Sequence, residues 1–142
     1  MLRRAIIYGG FAALTTSVWT LGEYAFGFHG ERAEIGRYSG FVAIVFPVIA
    51  IVLALRAARH VRGRLKMRDA LAEGMAVSLV LSVLGAIFIW CYFALINPDF
   101  REAGRALDPV GQAVMVLLSS LAAGLVISTI AGLILRRESG TE

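Results

Sequence analysis

Few residues in this chain have the types and spacing that chemistry needs. The two histidines, His29 and His60, are separated by a long apolar stretch and fall on opposite sides of a membrane in the topology derived below. They cannot share a metal ion. Cys91 is the single cysteine, so an internal disulfide is excluded. It lies in an apolar segment, where cysteine behaves as a small hydrophobe. No glycine-rich loop follows a strand, and no serine or cysteine has a histidine and a carboxylate at motif spacing. The pattern implies no metal, no cofactor and no catalytic residue. Carboxylates inside a membrane are costly and mark function, but none stands deep in an apolar stretch. Glu73 follows Asp69 at a helix start, where the helix dipole favours an anion, and is expected to pair with the basic segment before it. Glu23 is expected to be solvated at the outer interface. A membrane enzyme would need Glu23, Asp99 or Glu102 to converge at one outer site. The lack of a deep charge argues against an ion-coupled pump.

The elements around these residues are unusually apolar. Of 142 residues, 58% are hydrophobic and only 17% charged, which excludes a disordered chain. Four windows hold no charged residue or histidine: Ala5–Gly22, Tyr38–Leu55, Gly74–Pro98 and Pro109–Leu135, of 18, 18, 25 and 27 residues. At about 1.5 Å per residue, roughly 20 residues cross a hydrocarbon core of ~30 Å. Backbone groups in lipid must bond internally, so the windows are helices. A soluble bundle would need a polar stripe on each helix, and Val77–Ile96 has only Ser78, Ser82 and Cys91 to offer. Arg3 and Arg4 ahead of an apolar run also suit an export signal. The length of the run, its Thr15, Thr16 and Trp19, and the missing small-x-small site favour a span. The expected fold is an all-α, four-helix membrane bundle forming one domain over 1–142, with helices at about 5–27, 37–58, 70–96 and 109–135.

Basic residues divide ten to four. Arg3, Arg4, Arg56, Arg59, Arg62, Arg64, Lys66, Arg68, Arg136 and Arg137 fall on one side, and Arg32, Arg37, Arg101 and Arg105 on the other. The positive-inside rule then places both termini and the central loop in the cytoplasm. Trp19, Tyr24, Tyr38, Trp90 and Tyr92 are placed at the outer interface. Arg59, Arg62, Arg64 and Lys66 in the central loop suit anionic lipid of the inner leaflet. Nucleic acid is not expected, because no aromatic platform is interleaved with the charge.

Lipid is as apolar as leucine, so close backbone approach must hold such helices together. Small residues recur every fourth position: Gly9, Ala13 and Ser17 on the first helix, Gly74, Ser78 and Ser82 on the third, and Ser120, Gly124, Ser128 and Gly132 on the fourth. That spacing keeps each set on one face. The faces are expected to pack together, with a cavity lining or a homodimer contact as the alternative. Pro47 should kink the second helix near 43–46, because it removes one backbone bond. Asn97-Pro98-Asp99 is a turn that ends the third helix. Asn97, Pro98, Asp99, Phe100 and Arg101 form a candidate partner loop, with Phe100 and Leu107 positioned to anchor a short interfacial helix.

The stretch from Arg62 through the DALAEG segment at Asp69–Gly74 to FALINPDF at Phe93–Phe100 resembles a bacterial membrane family catalogued as domain of unknown function 4199. Members share the length, an early glycine (here Gly9 or Gly10), a basic loop, a glycine soon into the third helix (Gly74) and an Ile-Asn-Pro-Asp-Phe turn (Ile96–Phe100). The resemblance implies four spans and carries no activity or catalytic residue with it. The functional expectation is a small, non-catalytic accessory or scaffold protein acting through helix contacts. Its partners would be the bilayer, anionic lipid, and a membrane protein or a second copy. The alternative is a small solute carrier or lipid-binding protein.

Overall fold

A computed structural model describes residues 1–29, 32–102 and 105–137, without the side chains of 33, 37, 101, 102, 105, 106, 136 and 137. The side chains of Arg37, Arg101, Glu102, Arg105, Arg136 and Arg137, all used in the sequence reading, therefore lie outside the described residues. The architecture is helical: α1 (Leu2–Ala25), α2 (Ala33–Ala43), α3 (Val45–Arg62), α4 (Met67–Cys91), a π-helical turn (Tyr92–Ile96) and α5 (Pro109–Arg137). Four helical stretches are long and apolar enough to cross a membrane: Leu2–Ala25, Glu34–Arg62, Met67–Ile96 and Pro109–Leu135.

The helix ends follow from local chemistry. Gly27 stands at φ +75° and closes α1. Its N–H donates to the carbonyl of Tyr24, and the N–H of Phe28 donates to that of Glu23. This is a Schellman end, which needs a left-handed residue that only glycine adopts cheaply. Asp108 starts α5, its carboxylate accepting from the N–H groups of Val110 and Gly111 at 3.2 and 2.9 Å. Pro109 follows at the first helical position, where the missing donor costs nothing.

The second expected helix is two segments. α2 and α3 meet at Ile44, within the 43–46 stretch where Pro47 leaves the carbonyl of Ala43 without its i+4 donor. The third expected helix does not remain α-helical to 96. Its last turn widens, and the N–H of Asn97 reaches the carbonyl of Tyr92 at 2.8 Å. Pro98 disfavours helical geometry at Asn97, and the wider turn satisfies a carbonyl that the α pattern would leave open. After the turn, Arg101–Glu102 pairs antiparallel with Arg105–Ala106. A small hairpin thus stands where an interfacial helix was expected.

α4 is the central helix, packed most extensively on α5 and also on α1 and α3. Glycine makes this possible. A Cβ on Gly74 would lie 1.9 Å from Ser128 Oγ, and one on Gly124 would lie 1.9 Å from Ser78 Oγ. Each serine in turn donates to the carbonyl of the glycine one turn back on its own helix, Ser78 to Gly74 and Ser128 to Gly124. α4 and α5 therefore meet through two reciprocal glycine–serine contacts whose hydroxyls are satisfied locally. On α1, a Cβ on Gly9 would lie 2.6 Å from the carbonyl of Val77. Leucine, isoleucine, valine and phenylalanine cover the outside, as at Phe11, Leu14, Ile87, Leu118, Val126 and Ile134, each more than half exposed.

Candidate functional site

The bundle has two polar ends. At one end the start of α1 meets the start of α4 through Arg4 and Glu73. The last turns of α5 join them there, with Gly132 against Ala70 and Met67. Most of the basic residues collect at this end. At the other end stand the Schellman turn after α1, the start of α2, the π turn and the hairpin.

The second end holds the richest polar cluster. Glu23, on the last turns of α1, is 7% exposed. Its Oε1 accepts from Trp19 Nε1–H at 2.9 Å and from the hydroxyl of Ser39 on α2. The Schellman reversal brings His29 back over the helix end, with Nε2 3.5 Å from Glu23 Oε2. His29 Nδ1 lies 2.5 Å from the phenol oxygen of Tyr92, and that oxygen accepts from Asn97 Nδ2 at 3.2 Å. The imidazole thus lies between the phenol of Tyr92 and the carboxylate of Glu23, one ring nitrogen towards each. Tyr92 is buried at 1%, with its ring edge-on to those of Tyr24 and His29. A continuous path therefore runs Ser39–Glu23–His29–Tyr92–Asn97 and ties α1, α2 and α4 together. An apolar groove of about 590 Å³ along α1, lined by Leu14, Val18, Trp19, Phe26 and Phe46, has Glu23 in its wall.

At the basic end Glu73 is fully buried. Arg4 Nε donates to Oε1 at 2.7 Å, and its terminal nitrogen donates to Oε2 at 3.1 Å. Both carboxylate oxygens are used in a bidentate pair, the strongest geometry for a charged hydrogen bond.

Two expectations about these carboxylates are corrected. Glu73 pairs with Arg4 on α1, not with the basic loop. Its place on α4 turns it into the helix contact, and Arg62 instead holds Asp69 at 3.2 Å. Glu23 is enclosed, not solvated, because the chain folds back over α1 at Gly27. Tyr92 is likewise enclosed within the protein.

The family comparison gives one result. A family model described as "Protein of unknown function (DUF4199)" matches residues 7–106. The chain belongs to that family. No curated protein matches it, and neither does any solved structure. In this DUF4199 member the matched stretch holds Glu23, His29, Ser39, Glu73, Tyr92 and Asn97, while Arg4 and all of α5 lie outside it.

The other residues singled out from sequence distribute as follows. Gly9, Ala13, Gly74, Ser78, Ser82, Gly124, Ser128 and Gly132 are buried, and Ser17 and Ser120 are half-buried. Ser82 donates to the carbonyl of Leu79 at 2.9 Å. Pro47 and Ser120 both line a recess of about 340 Å³. Arg59 lines a polar recess with Arg56 and His60, while Arg64 and Lys66 are exposed. In the Asn97–Phe100 turn the N–H of Phe100 donates to the carbonyl of Asn97 at 3.2 Å. Pro98 and Asp99 are exposed there, and Asn97 and Phe100 are half-buried. Phe100 packs its ring on His29 and Phe93. Among the described residues no three His, Cys, Asp or Glu side chains gather as a metal site.

His29, Tyr92 and Arg4 were missed as functional candidates. One signal was present for His29: Ala25-Phe26-Gly27 after a long helix is a C-terminal stop that reverses the chain.

Proposed function

We propose that this protein is a four-span bacterial inner-membrane protein with both termini in the cytoplasm, acting without catalysis as an accessory or scaffold through its helix faces and outer hairpin. One observation supports this most: the two buried carboxylates, Glu23 and Glu73, are engaged in contacts between elements. Both oxygens of Glu73 are bound by Arg4. Glu23 is engaged from three elements at once. Carboxylates so held tie the bundle together, and what remains for a partner is the outer surface. The collection of arginines at one end supports the orientation.

The test is affinity purification after crosslinking in native membranes. A reproducible second protein, or a dimer of the chain, is expected. Recovery of the monomer alone at native and raised expression would refute the scaffold role. Cysteine labelling at Val61 tests orientation, with protection from an impermeant reagent in intact cells expected.

A lipid-binding role is the second reading. It draws on the grooves between helices on the flank of the bundle, while the middle is filled by Ala5, Ala54, Ala58, Val77, Ser78 and Ser128, each at or near zero exposure. A filled middle speaks against a carrier that passes solute along the bundle axis.

A further inference from the structure

Four aromatic rings and one carboxylate share the groove along α1. Trp19 and Phe46 stand 6.2 Å apart between ring centroids, tilted by 57°. Phe26 and Phe28, on either side of the reversal at Gly27, stand 6.0 Å apart, tilted by 34°. Neither pair is stacked, and Phe26 is 67% exposed. All four line the same space of about 590 Å³, and Glu23 lines it with them. Gly22, also in the wall, widens it: a Cβ there would meet no atom within 4 Å. From Leu14 to Gly22 the α1 side of the groove rises about 12 Å. Its one hydroxyl, on Thr15, donates to carbonyls of its own helix. Among the lining residues Glu23 alone ionises, and no lysine, arginine or histidine stands with it. The indole N–H of Trp19 and the hydroxyl of Ser39 are neutral donors. They occupy lone pairs of the carboxylate without cancelling its charge. His29, at 3.5 Å, is charged only when protonated, and among the described residues no lysine or arginine pairs with Glu23.

We propose that this groove binds a lipophilic quaternary ammonium cation, its trimethylammonium head among the rings of Trp19, Phe26, Phe28 and Phe46 beside Glu23, and its alkyl chain along Leu14 and Val18. Aromatic faces attract such a head through their quadrupoles, and more strongly where water is excluded. The engagement of Glu23 selects the quaternary form. A primary ammonium brings three N–H donors that each need an acceptor. Oε1 already accepts from two groups, and Oε2 faces His29. A quaternary head has no N–H to satisfy, so it draws on the charge and the ring faces without displacing Ser39 or Trp19. An anionic amphiphile would meet a like charge in the wall. A zwitterionic phosphocholine would bring a phosphate for which the wall has no base, and a neutral chain would leave the carboxylate unmatched. The site adds a ligand to the accessory reading and depends neither on the placement of the termini nor on a protein partner.

The full chain in a nonionic sterol-based detergent, which has no alkyl chain to compete, provides the test. With Trp90→Phe as background, Trp19 is the only tryptophan left, and its fluorescence reports the groove directly. The probes are octyltrimethylammonium, octylammonium and octylphosphocholine, which share one chain, and tetramethylammonium, which has only the head. Saturable binding of one octyltrimethylammonium per chain is expected, with each of the other three at least about tenfold weaker. Glu23→Gln keeps an acceptor for Trp19 and Ser39 and removes the charge, and should weaken binding about tenfold. Phe46→Leu keeps apolar volume and removes a ring face, and should weaken it about threefold. Gly22→Leu adds a side chain where the wall is open and favours the helix, so it should fold as the parent does and abolish binding. Far-ultraviolet circular dichroism and size-exclusion confirm that each variant keeps its structure. Octylammonium or octylphosphocholine binding as tightly as octyltrimethylammonium would overturn the assignment. Binding unchanged by Glu23→Gln, or unchanged by Gly22→Leu, would overturn the site. Crosslinking in native membranes, which tests the accessory role, is independent of all these outcomes.

Discussion

The reciprocal glycine–serine contacts between α4 and α5 allow a quantitative test by paired substitution. A methyl added at Gly124 would lie 2.4 Å from Ser78 Cβ and 1.9 Å from its Oγ, while the next atom, Ser78 Cα, is 3.8 Å away. Carbon atoms pack at about 3.5–4.0 Å, so the helices must part by about 1 Å, and rotating the hydroxyl cannot move Cβ. Overpacking of this kind costs about 1–3 kcal/mol. Alanine returns up to about 1 kcal/mol through helix propensity, so Gly124→Ala should be destabilising by about 1–2 kcal/mol. Ser78→Gly alone loses propensity and leaves a small void, for about 1 kcal/mol. Together they should not add. With Ser78 reduced to glycine the new methyl meets only Cα, at ordinary contact distance, and the double variant should fall within about 1 kcal/mol of the parent. The cycle should thus show a favourable coupling of about 2 kcal/mol. Thermal unfolding in a mild detergent, with size-exclusion to check monodispersity, measures it. Gly74→Ala with Ser128→Gly should repeat the pattern. Gly124→Leu, larger still, should prevent α5 from docking. A Gly124→Ala variant as stable as the parent, or a double variant no better than the single, would refute the contact.

Three other outcomes follow from the two polar ends and the break in the second span. Arg4→Ala leaves a fully buried carboxylate unpaired and should cost about 3–5 kcal/mol. Glu73→Ala leaves Arg4, whose side chain is 21% exposed, able to reach water and should cost about 1–3 kcal/mol; detergent unfolding that reversed this order would contradict the burial. Tyr92→Phe removes the oxygen shared by His29 and Asn97 and should cost about 1–3 kcal/mol. Hydrogen exchange should quicken at 27–29 and remain unchanged at 74–82. Pro47→Ala restores a donor to the carbonyl of Ala43 and should straighten α2 onto α3. Spin labels at Ile35 and Val61, both exposed, should then move towards the ~39 Å that 26 residues span in a straight helix. An unchanged distance distribution would place the cause of the break elsewhere.

The helical stretches were legible because absence of charge over 18 or more residues is a property of composition, independent of packing. The break near Pro47 was legible because a missing N–H acts within one turn. The reversal at Gly27 was encoded locally too, but its consequence was not: only with α1 ended does His29 come over Glu23. The Arg4–Glu73 pair joins residues 69 positions apart, and no periodicity in either helix states how α1 is rotated against α4. The π turn escaped because its cause lies downstream, at Pro98, while its effect is a hydrogen-bond shift from Tyr92 to Ile96. The recess lined by Arg56, Arg59 and His60 was not legible. Charge count alone pointed to the whole loop, whereas the helical phase of α3 separates these three from Arg62, which Asp69 holds.

Buried carboxylates in an apolar bundle ordinarily suggest transport, because such a charge is expensive unless it does something. Their engagement here is with other parts of the bundle. A carboxylate that carries protons or cations must be able to exchange partners, so it needs an oxygen open to the path. Glu73 has none: its two oxygens face two nitrogens of one guanidinium. Glu23 is nearer to such a role, since Oε2 has only the longer contact with His29 and an apolar groove reaches it. Yet its other oxygen holds α2 through Ser39 and the Trp19 side chain of its own helix, so exchange there would loosen the start of the second span. The polar groups at the two ends thus do for the termini of the helices what the glycine–serine contacts do for the middle. With association in lipid gaining little from apolar burial, these specific contacts fix the arrangement of the bundle and leave its flanks as the surface on which other molecules act.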